Sequence, residues 1–136
     1  MIIQLIMDSL VIAIAVAIQA EMFNLLSNRI EPLIQHARRW LRRFANTGVI
    51  TVAVLYVLLV QTVCVWVWAI AFMVAGAFDS FEPALYFALV SFTTVGFGDI
   101  VLPAGWRIMS GLTAAHGFLS FGWSAAYMVE LVRRTA

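Results

Sequence analysis

Lysine is absent from this sequence of 136 residues, and charged residues of all kinds make up only 11% of it. So few charges could not cover the surface of a soluble domain of this length. Hydrophobic residues instead make up 64% of the chain, and the mean hydropathy is +1.00. The composition therefore argues against a soluble domain and predicts an integral membrane protein.

Cysteine occurs only once, as Cys64 inside an apolar run. A single cysteine cannot form an intrachain disulfide, and no CxxC or Cys/His spacing typical of a metal site is present. The sequence also contains no Ser-His-Asp arrangement and no phosphate-binding loop, so it predicts neither an enzyme nor an organic cofactor. We interpret Cys64 as a small packing residue.

The eight arginines are distributed unevenly along the chain. Five lie between Arg29 and Arg43, two are Arg133 and Arg134, and only Arg107 lies elsewhere. Because arginine is enriched on the cytoplasmic side of membrane proteins, these clusters indicate orientation rather than nucleic acid binding. We expect a plasma (inner) membrane protein with its amino terminus outside and its carboxyl terminus inside.

The first apolar segment, Ile2–Ala20, is just long enough to cross a bilayer. We assign residues 1–27 to an N-terminal transmembrane helix, with a shallow interfacial helix as the alternative. The apolar segment contains no arginine, so it cannot act as a voltage sensor built from repeated arginines. Asp8 is polar for a deep position, and we expect it near one end of the span.

Residues 28–46 have a different pattern, in which apolar residues recur at spacings of three and four. Four basic residues lie between them: Arg38, Arg39, Arg42 and Arg43. This pattern predicts an amphipathic helix that lies in the membrane interface and turns its basic side toward lipid, anionic lipid in particular. A soluble basic connector is the alternative.

Two long helices are predicted in the remaining part of the chain, residues 47–136. The segment 49–78 carries no charge before its end and is long enough to cross a bilayer with tilt, and we expect Asn46-Thr47-Gly48 to cap it. The segment 106–134 is rich in small residues, which allow close helix contacts in lipid. We predict an outer helix at 49–78 and an inner helix at 106–134.

A short helix is predicted between the two long ones, at 83–93. Asp79 or Ser80 can cap its start, and Pro83 suits its first turn. If this helix runs inward from the outer surface, its carbonyl end places partial negative charge near the membrane centre. Such an end attracts a cation.

The residues that follow, 94–99, form a short glycine-rich stretch at membrane depth, Thr94-Val95-Gly96-Phe97-Gly98-Asp99. Irregular backbone at this depth is tolerated where protein buries it or where it lines a watery path. Glycine adopts positive φ easily, so a backbone of alternating hand can aim successive carbonyls at one line. These would be the carbonyls of Thr94, Val95, Gly96 and Phe97, with the side chains of Val95 and Phe97 packed behind them. Four such copies would replace the hydration shell of K⁺.

This stretch resembles the filter of the potassium channels, which has the sequence Thr-Val-Gly-Tyr-Gly or Thr-Val-Gly-Phe-Gly. The segment from Tyr86 to Phe92 likewise resembles the pore helix of that family, and the resemblance extends over about Val49–Arg134. It implies an all-α membrane protein in which a helix–pore loop–helix module follows one transmembrane helix and an interfacial helix. It also implies a homotetramer that passes K⁺ passively, because each chain supplies a quarter of the coordinating ring. A less selective monovalent cation channel and an accessory membrane subunit of another channel are the alternatives.

The resemblance also suggests roles for the inner helix. Gly117 lies close to the position where many potassium channels have a hinge glycine, although close helix packing explains a glycine there equally well. With this alignment, four residues would face the conduction path: Phe118, Phe121, Ala125 and Val129. His116 either titrates or makes an ordinary contact between helices.

A last group of residues is expected to support the filter from behind: Tyr86, Val90, Thr93 and Asp99. Some relatives have a Glu at the position of Val90, which holds the Asp after the filter. Valine cannot form this bond, so Asp99 needs another donor. Tyr86 stands where some relatives have a Trp that bonds this Asp. We predict that its hydroxyl bonds Asp99 of the same or a neighbouring chain, with simple packing among aromatic residues as the alternative.

Overall fold

The computed structural model describes residues 2–40 and 45–135. These residues form four helices, with a short 3₁₀ turn at Ala104–Trp106 before the last one. The helices are α1 (Ile2–Trp40), α2 (Ala45–Val74), α3 (Phe81–Phe92) and α4 (Arg107–Thr135). No strand occurs within the described ranges. The prediction of an all-α fold is confirmed.

The N-terminal part differs from the prediction, because α1 is one helix of 39 residues where we predicted two. No boundary exists at 27/28, since the chain between residues 20 and 40 contains no glycine. We predicted Pro32 in the first turn of a second helix. It lies inside α1 instead, where its missing N–H removes one backbone hydrogen-bond donor. Arg38 and Arg39 belong to the end of α1, and Arg42 and Arg43 lie outside the described residues. Their position in the interface stays a prediction.

The bounds of α2 also differ from the predicted 49–78. The helix begins at Ala45, so Asn46-Thr47-Gly48 lie inside it and do not cap it. It ends at Val74 because Gly76 adopts a φ of 81°. The N–H of Gly76 donates to the carbonyl of Met73 and that of Ala77 to Phe72, both at 2.9 Å. These two hydrogen bonds around a glycine with positive φ form a motif that commonly terminates helices. Gly76 is therefore the residue in the sequence that signals the end of α2.

The bounds of α3 and α4 agree with the predicted 83–93 and 106–134 to within two residues. Ser80 is the residue before α3 and has an extended backbone, but its side chain makes no capping hydrogen bond. Pro83 lies in the first turn of α3 as predicted. α3 and α4 therefore flank a loop that contains the whole of 94–99.

Two helices in the described part of the chain are long and apolar enough to span a membrane, Ile2–Arg29 and Thr47–Val74. α4 has 29 residues, about 44 Å at 1.5 Å per residue, which also exceeds the hydrocarbon thickness of a bilayer. Its glycine, serine and threonine residues make it less apolar than the other two. α4 is therefore typical of a helix that lies against other protein.

The main core joins α2, α3 and the beginning of α4. Its largest members are Trp68 and Phe72 of α2, Phe87 and Phe92 of α3, and Met109 of α4. The rings of Phe72 and Phe87 meet edge to face, with centroids 5.2 Å apart. This core holds α3 against α2 and so fixes the start of the glycine-rich loop.

α1 is attached to the other helices by buried polar side chains. The hydroxyl of Ser120 in α4 lies 2.8 Å from Oε1 of Gln19 in α1 and 2.7 Å from Oε1 of Gln61 in α2. The amide of Gln61 donates to the hydroxyl of Ser124 at 2.7 Å. Because polar groups buried in apolar surroundings need partners, this network fixes the relative positions of three helices.

Candidate functional site: the pore loop

The backbone of the loop alternates in hand, as the glycine spacing predicted. Thr94, Gly96 and Gly98 have φ angles of 61°, 57° and 75°. Val95 and Phe97 are not among the residues with positive φ. Backbone in which residues of positive φ alternate with residues of negative φ is not a helix, a strand or an ordinary turn. The glycine spacing predicted this alternation for a backbone that aims successive carbonyls at one line.

Thr94 is the unusual member of this run. It is the only residue other than glycine with positive φ in the described ranges, and it is β-branched. Left-handed backbone is unfavourable for such a residue and persists only where the surroundings impose it. Strain of this kind concentrates at functional sites. The positive φ of Thr94 therefore supports the hypothesis that this residue belongs to the functional site.

The end of α3 holds the start of the loop through backbone hydrogen bonds. The N–H of Thr94 donates to the carbonyl of Ser91 at 3.0 Å, and that of Gly96 donates to Val90 at 3.3 Å. Thr93 does not reach the loop with its side chain, since its hydroxyl bonds the carbonyl of Leu89 at 2.8 Å. The carbonyl end of α3, with its partial negative charge, therefore adjoins the first loop residues.

The side chains of the loop are exposed in the single chain. Val95 is 54% exposed and Phe97 is 71% exposed. The prediction that these two side chains pack behind the filter concerns four copies around one axis. A single chain does not test it, so it stays a prediction.

The outer end of the loop is tied to α3 by a side-chain hydrogen bond. The hydroxyl of Tyr86 donates to Oδ2 of Asp99 at 2.6 Å within the same chain, so the predicted bond is confirmed. This bond holds the pKa of the Asp99 carboxyl below its usual range, against desolvation and with help from the N–H groups of Asp99 and Ile100. The same bond raises the pKa of Tyr86. The side chain of Val90 is buried and apolar, so it cannot bond Asp99.

Gly117 lies where α4 crosses the end of α3. A Cβ atom built on Gly117 would lie 1.8 Å from the carbonyl oxygen of Phe92, the last residue of α3. No side chain fits there, so the two helices touch through their backbones. Of the two interpretations of Gly117, this contact favours close packing. It places α4 directly against the helix that carries the loop.

His116 lies beside this crossing. Nε1 of Trp68 in α2 donates to Nδ1 of His116 at 2.9 Å, and the ring of Phe92 meets the imidazole edge to face at 5.4 Å. Because Nδ1 accepts a hydrogen bond, the proton of the neutral ring is on Nε2. Nε2 is buried and has no partner among the described residues. The interpretation of His116 as a contact between helices is confirmed.

The four predicted path-facing residues lie along one side of α4. Phe118 and Val129 are 71% and 55% exposed, and Phe121 and Ala125 are exposed as well. Phe121 also contacts the ring of Phe92 at 5.8 Å. An exposed apolar side on α4 is compatible with the predicted position of these residues at the conduction path. That position stays a prediction.

Sequence reasoning missed the partners that hold the site in place. The polar contacts of Trp68, Gln61 and Ser120 between helices were not predicted, although glutamine in an apolar helix is a signal for such a contact. Among the described residues, no group of three or more His, Cys, Asp or Glu could hold a metal ion.

A family model described as ion channel matches residues 49–134, more than half of the chain. The chain therefore belongs to this ion channel family, which is not a family of enzymes. The matched region contains α2 from residue 49, α3, the loop and almost all of α4, and α1 precedes it. No curated protein and no solved structure matches the chain. The fold, the family and the two apolar helices together define a membrane protein with a helix–pore loop–helix channel module.

Proposed function

We propose that the chain forms a homotetrameric channel for passive, selective permeation of K⁺. The observation that carries the proposal is the alternating backbone of the loop, with positive φ at Thr94, Gly96 and Gly98. This alternation lets consecutive carbonyls of residues 94–97 face one axis, together with the Thr94 hydroxyl. Oxygens arranged in this way replace the hydration shell of K⁺.

The tetramer is supported by what a single chain leaves incomplete. One loop supplies one quarter of a ring of carbonyls, and its Phe97 side chain is 71% exposed. A neighbouring copy of the same chain would cover the aromatic ring of Phe97. Four copies would also complete the ring of carbonyl oxygens. The exposed side of α4 with Phe118 would then lie toward the central path or another copy.

The orientation follows from the arginines. Arg133 and Arg134 at the end of α4 and the cluster at 29–43 lie on the same side of the membrane if α1, α2 and α4 all cross it. By the positive-inside rule this side is cytoplasmic, in a plasma (inner) membrane. The Tyr86–Asp99 bond then lies at the outer mouth.

The test is ion flux into proteoliposomes that contain only the purified chain. We expect the reversal potential under a K⁺/Na⁺ gradient to follow K⁺, and native mass measurement to give four subunits. Gly96→Ala should abolish the flux, because the methyl group resists the φ of 57°. Gly48→Ala is the matched control, since Gly48 lies within α2 and a Cβ there meets no atom within 4 Å.

Other results would support the alternatives. Equal permeability to K⁺ and Na⁺ in the intact protein would indicate a less selective monovalent cation channel. A folded chain without any flux would indicate an accessory subunit, and a conducting dimer would contradict the tetramer.

A further inference from the structure

Asp8 is an acidic residue buried inside the apolar helix α1. It is 2% exposed, and its Oδ2 atom has no hydrogen-bond partner among the described residues. A buried carboxyl group is costly to ionise without a partner, so an ionised one is normally paired with a cation or a donor. The salt bridge found in the described part of the chain, Glu130–Arg134, lies in α4 and does not involve Asp8.

Asp8 lines a pocket of about 540 Å³ between α1, the end of α2 and the beginning of α4. This volume is within the range of sites for small molecules. The walls are apolar for the most part, with Val11 and Met109 among them. The amide of Gln4 also lines the pocket, but its Nε2 is already bound to the carbonyl of Gly105 at 2.6 Å. Asp8 is therefore the one acidic group in an apolar pocket.

We propose that this pocket binds an apolar molecule that carries a primary ammonium group. The ammonium supplies both the charge and the N–H donor that Oδ2 of Asp8 lacks, and the apolar body fills the remaining volume. Trp106 also lines the pocket, and the face of an indole ring attracts cations. A metal ion would need more oxygen ligands than these walls offer.

Two sources share this chemistry, a free alkylamine and a lipid with an ethanolamine headgroup. Both present a primary ammonium next to an apolar chain. None of the loop residues 94–99 lines the pocket. The proposed site is therefore separate from the ion path, and its test does not depend on ion permeation.

The test uses an octylammonium probe with a photoreactive diazirine, applied to the full chain in a neutral maltoside detergent. Mass spectrometry should locate saturable labelling on peptides that line the pocket. Unlabelled octylammonium should compete and 1-octanol should not, because the alcohol has the same chain without the charge. Asp8→Asn should reduce labelling about tenfold or more. Asp79→Asn, which removes an exposed acidic residue outside the pocket, should leave it unchanged.

A second pair of variants keeps Asp8 in place. Ala71 lines the pocket, whereas the adjacent Ile70 is exposed and does not. Ala71→Trp should fill the volume and abolish labelling, and Ile70→Trp should not. This comparison decides the question if Asp8→Asn fails to fold. Labelling that survives Ala71→Trp, or that survives Asp8→Asn in a folded chain, would overturn the proposal, as would equal competition by 1-octanol.

Reconstitution into nanodiscs distinguishes the two sources. Phosphatidylethanolamine carries a primary ammonium, whereas the quaternary ammonium of phosphatidylcholine has no N–H to donate. Weaker labelling in phosphatidylethanolamine would identify a lipid headgroup as the occupant. Equal labelling in both lipids that still depends on Asp8 would identify a free amine.

Discussion

The hydroxyl of Tyr86 and the carboxylate of Asp99 are joined by a hydrogen bond of 2.6 Å within one chain. Tyr86 belongs to α3, which leads into the pore loop, and Asp99 directly follows the last glycine of the loop. The bond therefore connects the outer end of the proposed filter to the helix that precedes it. Because the residues between Thr94 and Asp99 are all exposed in the single chain, this contact holds the outer end of the loop against its own helix.

Removing either member of this pair should destabilise the conducting loop to a similar extent. We expect Tyr86→Phe and Asp99→Asn each to shorten sustained K⁺ current, and the double variant to be no worse than the more severe single one. Recordings of current decay during long openings measure this effect. Additive effects of the two substitutions would contradict a functional bond. Thr62→Val removes an exposed hydroxyl that bonds the carbonyl of Leu58 within its own helix, and it is the control.

The bond also predicts how the loop responds to external pH. The pKa of Asp99 is lowered, so the bond's contribution is complete above the usual aspartate value of about 3.9 and is lost as pH falls through the lowered value. The pKa of Tyr86 is raised, so the contribution is complete below the usual tyrosine value of about 10 and is lost as pH rises through the raised value. We therefore expect sustained current to be insensitive to external pH between about 5 and 9 as far as this pair is concerned.

The pH dependence of current in single variants distinguishes the titration of Tyr86 and Asp99 from that of other groups. In Tyr86→Phe, the acid limit of sustained current should move upward toward the ordinary aspartate range, because Asp99 loses the donor that lowers its pKa. A loss of current centred near neutral pH that disappears in Asp99→Asn would contradict this assignment.

The sequence was sufficient for the loop because its conformation is encoded locally. Glycine at every second position permits the alternation of hand, and Gly96 and Gly98 have that conformation. The end of α2 was also encoded locally, by Gly76, but the long apolar run obscured it. The continuity of α1 was missed for a different reason. The change from an apolar to a basic pattern near residue 28 marks a change of environment along one helix, and it does not require a break.

The contacts around α4 could not be predicted from sequence, because they join residues far apart in the chain. Ser120 and Gln19 are 101 positions apart, and the approach of Gly117 to Phe92 depends on how α3 and α4 cross. A glycine in a helix is compatible with a hinge, a close contact or neither. Only the three-dimensional arrangement distinguishes these cases.

Gly117→Ala should destabilise the protein, because the added methyl group would lie 1.8 Å from the carbonyl oxygen of Phe92. Overpacking of this kind costs about 1–3 kcal/mol. Gly111→Ala is the matched control in the same helix, since a Cβ there meets no atom within 4 Å. Thermal unfolding in detergent compares the two. If Gly117→Ala unfolds like Gly111→Ala but changes channel opening, Gly117 is a hinge and its contact with Phe92 is dispensable.

The basic segment before α2 should give the channel a preference for anionic lipid. Each arginine near a charged membrane surface contributes about 1 kcal/mol. Replacing Arg38, Arg39, Arg42 and Arg43 together by Gln should therefore weaken any dependence of K⁺ flux on anionic lipid. Flux is measured in neutral and anionic proteoliposomes, with Arg107→Gln as the control, because Arg107 lies outside this cluster and on the proposed outer side. Equal flux of the unaltered chain in both lipids would refute this role.

The buried network around Ser120 should be required for the attachment of α1 to the pore module. The Ser120 hydroxyl can donate its one hydrogen to Oε1 of either Gln19 or Gln61, and Ser120→Ala removes this donor. Hydrogen bonds between membrane helices contribute about 0.6–1.7 kcal/mol, so we expect a loss of stability of that order. Ser9→Ala is the control, because the Ser9 hydroxyl is exposed and bonds the carbonyl of Leu5 in its own helix. Unfolding in detergent measures both.

A double-mutant cycle shows whether the network acts between helices. Gln19→Leu removes the α1 member, and its combination with Ser120→Ala should cost less than the sum of the two single changes. Ser120 lies three positions beyond Gly117, so this network attaches α1 to the part of α4 that follows its contact with α3. We therefore expect Gln19→Leu also to change the open probability of the channel. If Ser120→Ala proves as stable as Ser9→Ala and the cycle is additive, the network around Ser120 is not what holds α1 in place.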